Sequence, residues 1–154
     1  MKKQFCTIGY LEGTFDLFHI GHLNFIEEAK KKCDFLIVGV YSDEVVYSYK
    51  GRFPIIPCKD RIRVLKALKS IDSVLQLHER NKIKAYQKLR YNILFMSTDW
   101  KFSPEYAQLE DSLRVFNVDV IWIPYLQGIS TSTIISRAAT CQNVYDEQID
   151  KYRR

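Results

Sequence analysis

The chain has 154 residues, 47% of them hydrophobic and 27% charged, with a formal net charge of +5. That length suits one domain with a buried core, and that balance excludes a disordered, collagenous or disulfide-stapled chain. No apolar run is long enough to span a bilayer, and Met1-Lys2-Lys3-Gln4 lacks the apolar stretch of a secretory leader, so a cytoplasmic protein without a membrane partner is expected. The positive charge is moderate and not clustered, which suits a polyanionic small ligand better than nucleic acid. Cys6, Cys33, Cys58 and Cys141 show no C-x-x-C spacing, so reduced thiols are expected and a zinc site is not.

Strand-like and helix-like segments alternate from the start. Residues 7–11 are β-prone. Residues 21–32 form a helix, with Leu23, Ile26, Ala29 and Cys33 apolar at helical spacing and Glu27/Lys31 and Glu28/Lys32 pairs on a solvated face. Residues 35–41 are continuously apolar, the pattern of a strand covered on both faces. Ser42 caps a short helix opening with Asp43 and Glu44. Residues 50–57, with one glycine, two prolines and the cations Lys50 and Arg52, read as a loop. A helix over 59–70 turns Ile62, Leu65 and Leu68 inward, and residues 73–77 are the third strand. Residues 82–89 form a basic helix and 93–96 the fourth strand. Ser103 and Pro104 open a further helix whose inner face would be Tyr106, Leu109, Leu113 and Phe116. Residues 118–123 are the fifth strand and 124–127 a turn. Ser130 or Thr131 caps the last core helix. The core spans about residues 5–140, and the charged tail over 141–154 is a candidate packing or dimerisation helix. This order predicts a single domain: a Rossmann-like, three-layer α/β/α fold on a five-stranded parallel sheet, with ligands at the carboxyl edge of the strands.

The most informative stretch runs from Gly13 to His22, Gly-Thr-Phe-Asp-Leu-Phe-His-Ile-Gly-His, between the first strand and the first helix. Backbone N–H groups lie unpaired at such a junction, and the helix dipole favours an anion there. His19 and His22, three apart, share one side of the first turn. Gly21 would let a phosphate chain approach the backbone.

These residues resemble the H-x-G-H nucleotidyltransferase signature. In the longer form G-T-F-D-x-x-H-x-G-H they resemble the glycerol-3-phosphate cytidylyltransferase family. The same four residues spell a tRNA-synthetase signature, but no K-M-S-K-S segment accompanies them. The resemblance extends over residues 7–135. Residues 40–44 are similar to the family's V-x-S-D-E segment, and residues 61–65 to its R-x-x-x-L helix. Residues 96–100 resemble M-G-D-D-W with Asp99 and Trp100 retained, and residues 128–132 resemble the second signature, R-T-x-G-I-S-T-T.

The resemblance implies that His19 and His22 stabilise the α-phosphate as it is attacked. It further implies that Lys50 and Arg61 supply catalytic charge, and that Thr14, Phe15, Gly21, Asp99, Gln127, Gly128, Ile129, Ser130, Thr131 and Ser132 bind the nucleotide. Asp16 is read as fixing the turn. Magnesium is expected with the triphosphate, held mainly by phosphate oxygens and water, with no metal-ligand set in the protein. A homodimer is implied as well.

Two departures stand out. Tyr125 and Leu126 replace the signature arginine and threonine, which removes a guanidinium able to clamp phosphate and leaves Arg61, Arg52 or Lys50 to supply the charge. Ser97 and Thr98 replace Gly and Asp. The leading expectation is CMP transfer from CTP to a small phosphorylated alcohol, glycerol 3-phosphate first. ATP-dependent adenylyl transfer to a sugar phosphate or flavin, and a nucleotide-binding module without turnover, stay open.

Overall fold

The structure, a computed structural model, describes residues 6–106, 108–124 and 128–152. Strands β1 (Ile8–Gly13), β2 (Phe35–Tyr41), β3 (Ser73–Leu77), β4 (Ile93–Ser97) and β5 (Asp119–Ile123) form one sheet in the order β3-β2-β1-β4-β5, with every neighbouring pair parallel. Helices α1 (Ile20–Lys30), α2 (Asp43–Lys50), α3 (Cys58–Lys66), α4 (Lys82–Leu89), α5 (Leu109–Arg114) and α6 (Thr131–Tyr152) complete the three-layer Rossmann-like arrangement expected from the sequence.

The apolar pattern explains the layers. β2 does not alternate because both of its faces are covered. Leu36, Val38 and Val40 join a cluster with Phe25 and Ile26 of α1 and Leu65 of α3. Ile37 joins a second cluster, with Ala85 of α4 and Leu113 of α5. β1 and β4 divide in the same way: Leu11, Ile93 and Phe95 enter the first cluster, and Tyr10, Leu94 and Met96 the second. Among the described residues, no helix is long and apolar enough to cross a membrane.

Element bounds differ from expectation in four places. Lys50 is the last residue of α2 rather than part of a loop; the helix stops at Gly51, whose φ of 68° is left-handed and whose N–H reaches Tyr47 O at 2.9 Å. The helix expected over 59–70 ends at Lys66, and i to i−3 bonds from Ala67, Leu68 and Ile71 close the chain beyond it. The helix expected from Ser103 is broken into a 3-10 turn, Pro104–Tyr106, and the short α5. Phe116 therefore falls outside the helix, and its ring packs 4.9 Å from that of Tyr86. The tail, expected as a separate element, continues α6 without a break to Tyr152.

The topology places the site. The chain leaves β1 toward β2 and β3 on one side, then returns to β4 and β5 on the other. The connections diverge between β1 and β4, and a crevice forms at the carboxyl ends of those strands. Close packing beneath it depends on Gly9, where a Cβ would stand 2.5 Å from a Phe95 ring carbon and 2.6 Å from Cys33 Sγ. Gly9→Ala is expected to destabilise the fold by about 1–3 kcal/mol through overpacking, read as a lower urea midpoint at unchanged m-value.

Candidate active site

The turn after β1 is held in an unfavourable shape. Phe15 and Leu17 have φ of 54° and 45°, a conformation that costs a non-glycine residue about 1–3 kcal/mol each. Several contacts from outside the turn hold it there. The Asp16 carboxylate accepts N–H bonds from Ile55 at 3.0 Å, Ile56 at 2.9 Å and Leu17 at 3.1 Å. Thr131 Oγ1 donates to Asp16 O at 2.8 Å, and Thr14 Oγ1 shares a hydrogen bond with the Tyr49 hydroxyl at 2.7 Å. Asp16 thus fixes the turn, as the sequence suggests.

Arg61 anchors the same turn from below. Its guanidinium donates to Thr14 O, to Ile56 O at 2.8 Å and to Tyr41 O at 2.9 Å, and pairs with Asp43 at 2.7 Å. The residue is 2% exposed and lies outside the cavity lining. Arg61, expected to supply catalytic charge, thus faces backbone carbonyls and a carboxylate, contacts that position the turn.

The two histidines cap α1 reciprocally. Gly21 N–H donates to His19 Nδ1 at 3.1 Å, and His19 N–H to His22 Nδ1 at a longer 3.4 Å. A neutral imidazole that accepts at Nδ1 carries its proton on Nε2, so these bonds fix the tautomer of both rings. The rings stack 3.9 Å apart, and His22 also meets Phe15 edge-on at 5.4 Å and Phe18 face to face at 5.5 Å. Burial lowers the His19 pKa. Burial, then the His19 and Lys50 charges, push that of His22 down to about 3. Both rings are therefore neutral donors at pH 7. Gly21, expected to admit phosphate to its backbone, gives its N–H to the cap.

A cavity of about 230 Å³ opens at this edge. Of the expected site residues, Thr14, Phe15, His22, Lys50, Asp99 and Thr131 line it. His19, stacked on His22, lies outside the lining. Gly128, Ile129, Ser130 and Ser132 lie outside the lining. Ser130 Oγ caps α6 by accepting from Thr133 N–H at 3.1 Å. Gln127, with Tyr125 and Leu126, lies outside the described residues. His78 is exposed and faces elsewhere.

Sequence reasoning missed much of the remaining wall: Glu12, Tyr41, Tyr49, Arg80, Lys82 and Tyr106. Glu12 and Lys82 form a buried ion pair at 2.7 Å, with side chains 4% and 6% exposed. Tyr10 and Tyr41 hydroxyls each donate to Glu12 at 2.6 Å, and burial, then the Glu12 charge, raises both phenol pKa values. One signal was available. Lys82 shares helical spacing with Ala85 and Leu89, so it points inward, and Glu12 interrupts the apolar end of β1.

Residues 10–137 match the family model described as Cytidylyltransferase-like. The chain belongs to that family. It is a nucleotidyltransferase. It is 38% identical over 132 residues to the FAD synthase of Pyrococcus abyssi, covering 81% of this chain and 87% of that one. It is 33% identical over 138 residues to the bifunctional protein HldE of Nitrobacter winogradskyi, covering 89% of this chain but only 28% of that one. Among solved structures, the lipopolysaccharide core biosynthesis protein of Thermoplasma volcanium matches with a TM-score of 0.68 and 25% identity, over 81% of this chain and all of that one. The pantoate-beta-alanine ligase of Francisella tularensis, at 17% identity and a TM-score of 0.60 over 83% of this chain and 62% of that one, shares the fold.

The His22 pKa, about 3 folded against 6.5 unfolded, sets a pH dependence. Between those values the unfolded chain binds the extra proton, so this contribution is complete above pH 6.5 and is lost as pH falls toward 3. His22→Asn is expected to lose less stability than the wild type between pH 7 and pH 5 in urea unfolding. Carbon-13 NMR of the wild type should show the His22 ring still neutral at pH 5.

Proposed function

We propose that the chain transfers a nucleotidyl group from a nucleoside triphosphate to a phosphate monoester, and that ATP with a flavin phosphate is the leading pair. The observation that carries the reaction class is the neutral His22, stacked on His19 at the head of α1 and lining a cavity walled by Lys50, Arg80 and Lys82. The adenylyl branch is supported by the FAD synthases, which match most of their own length, and by Tyr125 in place of the signature arginine. A second reading, CTP with glycerol 3-phosphate, is favoured by the full ten-residue signature and by Asp99-Trp100.

The chemistry needs no covalent intermediate. An acceptor phosphate oxygen attacks the α-phosphorus, the bond to the α–β bridging oxygen breaks, and pyrophosphate leaves in line. Charge accumulates on the non-bridging α-oxygens, where Nε2–H donors are worth about 2.7–4 kcal/mol each in comparable sites. The histidines act as donors and not as bases, because their Nδ1 atoms are engaged in the cap. Lys50 lines the wall with a charge suited to the phosphates. Among the described residues, no three His, Cys, Asp or Glu side chains stand together as a metal site. The residues present fit a magnesium ion that arrives on the triphosphate and keeps phosphate oxygens and water as ligands. Homodimer formation and a cytoplasmic setting rest on the resemblance and the sequence.

Pyrophosphate release should be screened with ATP and CTP, each against flavin mononucleotide, glycerol 3-phosphate and ribitol 5-phosphate. ATP with flavin mononucleotide is expected to exceed CTP with glycerol 3-phosphate by at least about tenfold, a transition-state difference near 1.4 kcal/mol. The reverse order would put the second reading in its place. With the active pair, His22→Ala is expected to lower kcat about 10²–10³-fold while the urea midpoint shows the fold intact.

A further inference from the structure

Lys82 is the first residue of α4 and Glu12 stands near the carboxyl end of β1; both line the cavity although both side chains are buried. We propose that the Lys82 ammonium, held by Glu12, is a substrate-binding donor that gives an N–H to an uncharged oxygen or nitrogen acceptor on a planar heterocycle. This rests on the nucleotidyl-transfer reading above.

An ammonium has three N–H groups and accepts nothing. Lys82 Nζ gives one to Glu12 Oε1 at 2.7 Å. It lies 4.6 Å from the centre of the Tyr106 ring, whose face takes up a second direction. Among the described residues, no other acceptor meets Nζ. A buried donor is ordinarily satisfied, so the third N–H is available to a molecule in the cavity that Lys82 lines. The group is also held in place. Tyr41 donates to the same Glu12 oxygen and Tyr10 to the other, each at 2.6 Å. The Tyr91 hydroxyl donates to the Lys82 carbonyl at 2.9 Å, and Asn81 caps α4 by accepting from Lys84 N–H at 2.9 Å. Backbone and ammonium are thus both anchored, and the donor is placed before a substrate arrives.

Charge decides what this donor can take. The Lys82 and Glu12 charges cancel, and the carboxylate stands directly against the ammonium. A phosphate drawn to Nζ would meet that carboxylate at close range, like charge against like; a neutral lone pair would not. Tyr41, Phe95, Met96 and Trp100 line the same cavity and give it aromatic and apolar walls. A planar heterocycle can lie against such walls and still carry carbonyl or ring-nitrogen lone pairs in its own plane, directed at the ammonium. Either substrate of the reaction can offer this chemistry: a flavin ring on the acceptor, or the base of the nucleotide.

Removing Lys82 alone would strand Glu12 as a buried charge, so the test uses two double variants that replace both charges together. One combines Glu12→Gln with Lys82→Met; the other combines Glu12→Gln with Lys82→Gln, which keeps an N–H donor. Calorimetry follows riboflavin, adenosine and cytidine, which carry no phosphate, with pyrophosphate as the charged control. The wild type is expected to bind at least one of the three heterocycles. That heterocycle is expected to bind about tenfold more weakly to the Lys82→Met protein and to recover in part in the Lys82→Gln protein, with pyrophosphate within about twofold of wild type in both. A loss confined to riboflavin places Lys82 on the acceptor, and one confined to a nucleoside places it on the nucleotide. No heterocycle bound by the wild type, equal affinity in the wild type and the Lys82→Met protein, no recovery in the Lys82→Gln protein, or a matching loss of pyrophosphate would each overturn the assignment. In wild type labelled at lysine Nζ, the Lys82 nitrogen signal is expected to shift with the heterocycle and to stay in place with pyrophosphate. That measurement stands even where the double variants do not fold, and an unmoved signal overturns the assignment. None of this needs turnover, so a chain that released no pyrophosphate from any pair would sink the parent reading and leave the Lys82 result legible.

Discussion

The buried Arg61 guanidinium is the contact on which the site depends. It joins three segments far apart in sequence: the turn at Thr14, the end of β2 at Tyr41 with Asp43, and the loop at Ile56. A cation taken out of water persists only where acceptors surround it, and here carbonyls and one carboxylate do so. The arrangement is reciprocal. The guanidinium gathers carbonyls that would otherwise point at each other without a donor, and Asp16 gathers the N–H groups of Ile55 and Ile56 on the far side of the same loop. Between these two anchors, Phe15 and Leu17 are held in left-handed backbone that an unsupported chain would relax. The strain has a structural product: it brings the buried Phe15 ring edge-on to His22 and fixes where that imidazole stands.

The histidine pair does its structural work through one nitrogen of each ring. The Nδ1 atoms close the first turn of α1, which would otherwise present unsatisfied N–H groups. Engaging Nδ1 settles the tautomer, with the proton on Nε2, and burial keeps the rings neutral. Protonated rings would draw phosphate more strongly but would repel one another at a 3.9 Å spacing. On the nucleotidyl-transfer reading, a neutral ring fixed on a stiff helix end is preorganised for charge that develops only in the transition state.

Much of this was legible in the sequence. β2, β3 and α4 fall where the apolar pattern places them, because a strand covered on both faces and a capped amphipathic turn leave local signals. The turn chemistry was legible for a similar reason, since its spacing is short. What failed is what depends on distant partners. The resemblance carries Arg61 by position, but not the direction of its side chain, which three remote carbonyls decide. Glu12 and Lys82 meet across 70 residues, a pairing no local pattern states. Lys50 reads as loop in the sequence because the glycine and prolines after it outweigh the helical turn before it. Phe116 had the right spacing for an inner face, but α5 ends at Arg114, before the pattern reaches it.

The sheet order gives the site a direction. β1 is central, with β2 and β3 to one side and β4 and β5 to the other. In-line displacement needs the attacking oxygen and the leaving pyrophosphate on opposite sides of the α-phosphorus, with stabilising donors beside the phosphorus and off that line. A turn leaving the middle strand suits the donors, and the flanking strands suit the two substrates. The cavity is walled from both sides of β1: Tyr41, Tyr49, Lys50, Arg80 and Lys82 come from the end of β2 and the segments after β2 and β3, and Asp99, Trp100 and Tyr106 from the segment after β4. On the nucleotidyl-transfer reading, the histidine-bearing turn then lies between these two walls, beside the phosphorus and off the line of displacement.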